Sequence, residues 1–137
     1  DNLEDMADDI IHEFAHAVES NFAMEIYSDN KIQNEFLGKR RRLRDMLSEY
    51  GYLDGNDVSF LDLEYSKEFD DFLYKELSYD KLDMFCVGLF IRPYAATDLR
   101  EYFATAFEEY FLGDSSYLKR ICPAAHEKVR LIQTGEV

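Results

Sequence analysis

A chain of 137 residues with 47% apolar and 15% aromatic side chains is long enough for one domain with a real core, and its two prolines and six glycines favour helices over an all-β architecture. The formal net charge of -14 argues against a general nucleic-acid binder, because a phosphate backbone attracts the opposite sign; it suits solubility and, second, a basic peptide substrate. No apolar run nears the roughly 20 residues of a membrane span, nothing resembles a signal peptide, and Cys86 and Cys122, without paired spacing, read as buried thiols.

The first predicted helix starts between Asn2 and Asp5, with Glu4, Asp5, Asp8 and Asp9 near its positive end. It runs to about Tyr27, where Ser28-Asp29-Asn30 breaks it. Inside it, Ile10-Ile11-His12-Glu13-Phe14-Ala15-His16-Ala17 contains an H-E-x-x-H motif. Positions four apart on a helix share a face, so both imidazoles can reach one metal ion with Glu13 beside them. Zinc held by neutral imidazoles and a carboxylate, with one position open, brings the pKa of its water down to roughly 7, and a neighbouring carboxylate can then take the proton. His12 and His16 are therefore candidate ligands and Glu13 the candidate general base. The apolar residues Ile10, Ile11, Phe14, Ala15 and Val18 predict burial of the helix around this face. Chance would also produce five-letter motifs, but two of the three histidines in the chain fall in this register.

A second helix is predicted from Lys31 to Tyr50, with Ile32, Phe36, Leu43 and Leu47 on its apolar side and Gly51 as its stop. Within it, Lys39-Arg40-Arg41-Arg42-Leu43-Arg44 holds five of the fifteen basic residues and reads as a solvated face paired with nearby acids. Residues 51–57 carry turn chemistry, and Val58 to Tyr65 is a candidate extended segment. Ser66 is a predicted N-cap for a helix bearing Phe69, Phe72, Leu73 and Leu77. Ser78 can cap the next, with Leu82, Phe85, Cys86 and Leu89 on one side; a strand at Met84 to Ile91 is the alternative. Arg92-Pro93-Tyr94 must be irregular. Thr97 is the expected N-cap of a helix from Asp98 to Leu112 that stops at Gly113. A short helix from Ser115 or Ser116 to Cys122 follows, and Pro123 starts the last, Ala124 to about Gln133.

Two histidines do not complete a catalytic zinc site, which generally takes a third protein ligand. His126, beside Glu127 and Lys128, reads as a surface residue. The carboxylates of the Asp98 to Leu112 helix are better candidates, Glu101 first, because Ala104 and Thr105 on the same stripe would let this helix approach the H-E-x-x-H helix closely. A glutamate on a helix is more often simply solvated, so spacing alone leaves Glu101 open.

His12-Glu13-Phe14-Ala15-His16-Ala17-Val18, together with Glu101-Tyr102-Phe103-Ala104-Thr105-Ala106-Phe107 and a tyrosine, Tyr94, seven residues before that glutamate, resembles the catalytic domain of the anthrax lethal-factor family of zinc endopeptidases, which also includes the Pro-Pro endopeptidases. The resemblance extends from about Ile10 to Phe111. It implies a mainly α, zincin-like metallopeptidase domain spanning 1–137, a helical lobe with little or no β-sheet, possessing one Zn2+ held by His12, His16 and Glu101. It further implies Glu13 as general base and Tyr94 as hydroxyl donor to the oxyanion, a physically sensible role for a phenol beside zinc. The expected activity is peptide-bond hydrolysis through a zinc-bound water activated by Glu13, on a peptide or protein substrate, in a secreted, toxin-like setting. Two departures stand out. Thr105 occupies the place of a further family acid that orients a ligand histidine, which leaves Glu108 or Asp98 to take the part. Glu101 follows His16 by 85 positions, so residues 31–89 form a long insertion, expected to cap the cleft. Such peptidases bind substrate on a sheet edge, and the eleven residues before His12 cannot build one. The edge then comes from further domains of a longer chain or from Val58 to Tyr65, or else the chain is a zincin-like interaction or structural module that keeps zinc without cleaving.

Overall fold

The computed structural model describes residues 2–53 and 59–136, and among these it contains helices and turns but no strand. The helices are α1 (Asn2–Asn21), α2 (Ala23–Tyr27), α3 (Lys31–Glu49), α4 (Lys67–Asp71), α5 (Tyr79–Cys86), α6 (Leu99–Leu112), α7 (Ser115–Ile121) and α8 (Pro123–Thr134). A π-helical turn, Phe72–Glu76, continues α4, and a 3-10 turn, Pro93–Ala96, precedes α6.

The hub is α6. Leu99 and the whole run from Tyr102 to Glu108 are buried, as befits a helix apolar nearly all round. Its chief neighbour is α1, with α7, α8, α3 and the 3-10 turn around it. The close approach of α1 follows from side-chain size: Ala15 on one helix and Ala104 on the other are both fully buried. The helix stripes expected for α3 and for the segment after Ser66 are found as read, with Ile32, Phe36, Leu43, Leu47, Phe69, Phe72, Leu73 and Leu77 all in the core. Segment 31–89 thus supplies many of the core side chains, and Gln33 with residues 63–65 reaches a cavity beside Glu101. Cys86 and Cys122 are free and buried, and burial pushes their thiols up to about 12 and about 11.

Several local expectations need correction. The first helix is interrupted at Phe22, and Asn30, at φ 62°, takes the left-handed conformation that asparagine tolerates before α3 begins. Asp98, not Thr97, caps α6: its side chain accepts from the Glu101 amide at 2.8 Å, while Thr97 closes the 3-10 turn. Of the candidate extended segment, Val58 lies outside the described residues and 59–65 is irregular, tied to α6 where Leu63 O accepts from Leu99 N at 2.8 Å. The alternative strand at 84–91 is instead the end of α5 followed by a turn through Gly88 at φ 73°. Ile10 is 62% exposed on the side of α1 away from α6, and Phe14, at the margin of the contact, is 56% exposed although its ring lies 5.8 Å from that of Phe107.

The largest correction concerns the basic run. Lys39 and Arg40 are buried, and only part of the run is solvated. Lys39 donates to Ile121 O at 2.6 Å. Arg40 is 1% exposed and donates through Nε to Ala96 O (2.6 Å), through Nη2 to Thr97 O (2.7 Å) and through Nη1 to Phe60 O (3.2 Å). Its guanidinium also sits 3.8 Å from the Phe69 ring centroid and 4.9 Å from that of Phe36. Burial lowers its pKa to about 10, against the raising fields of Asp98 and Asp62, so it stays charged at neutral pH.

Replacing Arg40 with Met should cost about 3–5 kcal/mol of unfolding free energy, since three carbonyls lose their donors inside the core. Urea denaturation measures this, and a loss under ~1 kcal/mol would show that Arg40 only fills space.

Candidate metal centre

Helix α1 presents His12 and His16 one turn apart, and α6 brings Glu101 from its first turn to meet them. The imidazoles stand nearly perpendicular, at 88° with centroids 4.7 Å apart, and their Nε2 atoms are 3.1 Å from each other. Glu101 Oε2 is 3.2 Å from His12 Nε2, and Glu101 Oε1 is 3.3 Å from His16 Nε2. One ligand atom from each residue falls within 4.8 Å of the others, all three residues being half-buried. Two ligands at normal zinc distances in a tetrahedral site lie roughly 3.3 Å apart, so the spacing suits such an ion.

The proton inventory sharpens this fit. His12 Nδ1 is 2.7 Å from Glu108 Oε1, and since a carboxylate can only accept, Nδ1 carries the hydrogen. In the neutral ring Nε2 then offers a lone pair toward the Glu101 carboxylate and His16 Nε2. Glu101 Oε2 and His16 Nδ1 are buried without a hydrogen-bond partner among the described residues. Converging lone pairs and an orphaned carboxylate oxygen are costly in a protein interior unless a cation satisfies them. The residues fit a divalent ion, and the nitrogen and carboxylate donor set suits zinc. Glu101 is raised in pKa, first by burial and also by Asp98, while the fields of His12, His16 and Arg100 oppose the rise.

Glu108 occupies the place behind His12. It lies seven residues after Glu101, two turns along the same face of α6, and its own side chain is only 8% exposed. Arg92, from the segment before the 3-10 turn, holds Glu108 Oε2 at 2.5 Å. Arg92, Glu108 and His12 therefore form a chain that fixes the ring orientation of the histidine. Asp98, the other candidate for this part, is committed to capping α6. Thr105 is buried in the core.

Glu13 projects from α1 beside His12 with an exposed side chain and is not one of the clustered groups. Tyr94 lies on the 3-10 turn, 45% exposed, with its ring 6.1 Å from that of Tyr74. Its pKa is raised first by burial and next by the Glu101 charge. His126 is half-buried against the Tyr110 ring, away from the cluster. Sequence reasoning brought forward His12, His16 and Glu101 but missed Arg92, whose only local mark is the proline that follows it.

Compared with protein-family models, curated proteins and solved structures, the chain matches none, so the reading of the site rests on its geometry.

Glu108→Gln should weaken zinc binding about 10–100-fold while leaving the helical fold intact, because an amide no longer holds the His12 proton with a charge. Competition with a chromogenic chelator reads the affinity; an unchanged constant would reduce Glu108 to a packing role.

Proposed function

We propose that this chain is a zinc-dependent endopeptidase domain of the H-E-x-x-H plus downstream glutamate type, with a zincin-like catalytic architecture. The observation that carries the reading is the convergence of His12 Nε2, His16 Nε2 and the Glu101 carboxylate, with Glu101 Oε2 left unpartnered. When bound, zinc supplies Lewis acidity and charge at that point. The chain's own residues supply the rest. Glu13, one residue from His12 and solvent-accessible, takes the proton from the attacking water and returns it to the leaving amine. Tyr94 donates its hydroxyl to the oxygen that becomes negative as the carbonyl is attacked, a phenol being protonated at neutral pH in any case. Glu108, anchored by Arg92, holds His12 in the tautomer whose Nε2 faces the ion.

A second reading, a zinc-retaining module without catalysis, is favoured by one observation: residues 59–65, the internal candidate for a substrate-binding edge, form no strand. A peptide-library digest by the zinc-loaded protein separates the two readings.

Zinc analysis of the purified chain should return about one ion per molecule, and Glu101→Ala should abolish it. Metal-free protein that takes up no zinc would sink the proposal. Glu13→Gln should retain the ion and lose cleavage by ~100-fold or more. Tyr94→Phe should lower turnover by ~100-fold with zinc content unchanged, and a wild-type rate would remove Tyr94 from the mechanism.

A further inference from the structure

A cavity of about 650 Å³ opens beside Glu101, enclosed by the end of α1, by α2, by the first turn of α3, by residues 63–65 and by the start of α6. Its size is that of a ligand pocket, and it shares Glu101 with the metal cluster. Its polar lining is dominated by acceptors. Glu19, Glu64, Asp98 and Glu101 contribute carboxylates against one cation, Arg100.

The tyrosine and glutamine donors in this wall are already used. Tyr27 gives its hydroxyl to Glu19 Oε2 at 2.9 Å, and Gln33 gives its Nε2 to Tyr27 O at 2.8 Å. The second bond orients the amide, and Gln33 Oε1 is left buried with no partner among the described residues. Glu19 is 8% exposed, yet its other oxygen meets only the Arg100 Nε at 3.6 Å, beyond hydrogen-bond range. Arg100 itself is 61% exposed, so its charge is largely spent on solvent. A nearly buried carboxylate and an orphaned amide oxygen in one cavity call for a ligand that brings hydrogen-bond donors and positive charge.

Resting on the peptidase reading, we propose that this cavity is the specificity pocket of the site and binds the lysine or arginine side chain of a substrate residue within two positions of the cleaved bond. The aliphatic stem lies along Leu63 and Leu99, and the cationic head donates to Glu19 and Gln33 while Glu64 guards the rim from its exposed loop. The surplus of carboxylates rejects acidic side chains at the same position.

The test uses fluorogenic peptides identical except at one position near the scissile bond, where each carries arginine, its neutral isostere citrulline, or glutamate. With the zinc-loaded full chain, kcat/KM for the best arginine peptide should exceed that of its citrulline twin at least ~10-fold, with the glutamate peptide lowest. Glu64→Lys, on an exposed loop where the fold tolerates it, should collapse the arginine-to-citrulline ratio to about 2-fold or less, and Glu19→Gln should lower it too. Equal rates for arginine and citrulline at every position would overturn the pocket and leave the peptidase standing. If no peptide is cleaved, the peptidase reading fails by itself. The pocket is then judged by fluorescence anisotropy with the same peptides on the zinc-loaded Glu13→Gln variant: roughly 10-fold tighter arginine binding, lost in the Glu64→Lys background, supports it, and equal binding overturns it.

Discussion

The buried guanidinium of Arg40 is the constraint on which the candidate site depends. It bonds the carbonyls of Ala96 and Thr97, the last residues before α6, and that of Phe60 from the irregular segment on the other side. Asp98 follows at once, caps α6 and receives the Glu101 amide. A planar group with donors in a fixed fork thus sets where α6 begins, and the start of α6 sets how far Glu101 reaches toward His12 and His16. An arginine suits this place because its targets are carbonyls in three directions, and the Phe36 and Phe69 rings offer the cation a face inside the core. An ammonium could not span all three carbonyls.

What the sequence made legible and what it hid divide along the range of the interaction. The H-E-x-x-H motif is local, and one helical turn converts it into two imidazoles on a face. The stripe Ile32, Phe36, Leu43 and Leu47 is local too, and all four side chains are fully buried. Glu101 was readable only with the second motif beside the first, because nothing in its own helix separates a ligand from a solvated acid. Arg40 was not readable at all: in a run of six residues with five cations, Lys39 and Arg40 turn inward, and Arg40 is selected by Phe36, Phe69 and three carbonyls from other parts of the chain. Ile10 and Phe14 misled for the converse reason. They are apolar and flank the motif, yet the covered side of α1 belongs to the histidines, Ala15, Val18 and Glu19, with Phe14 touching Phe107 only at its margin.

The acid that stands behind His12 is displaced along α6 from the place the resemblance implies. The position one turn after Glu101 is Thr105, buried in the core, and the carboxylate appears a turn later as Glu108. The longer reach is possible because His12 lies four residues before His16, and α1 and α6 meet over several turns. Arg92 then matters as much as Glu108, since its guanidinium holds one carboxylate oxygen and so aims the other at His12.

Charge pairing around α6 shows which groups the fold satisfies and which it leaves for something else. Arg92 takes Glu108 at 2.5 Å, and the Glu101 amide takes Asp98 at 2.8 Å. Glu19 has a tyrosine hydroxyl but only a distant arginine, and Glu101 forms no salt bridge with a lysine or arginine among the described residues. The two poorly neutralised carboxylates are therefore adjacent, one facing the imidazoles and one facing the cavity. Arg100, next to Glu101 in the chain, reaches Glu19 only at 3.6 Å and is 61% exposed, so neither carboxylate is closely paired with it. Leaving Glu101 and Glu19 under-compensated costs stability, and only added positive charge can recover it, which is what the proposed metal ion and the proposed basic substrate side chain would each supply.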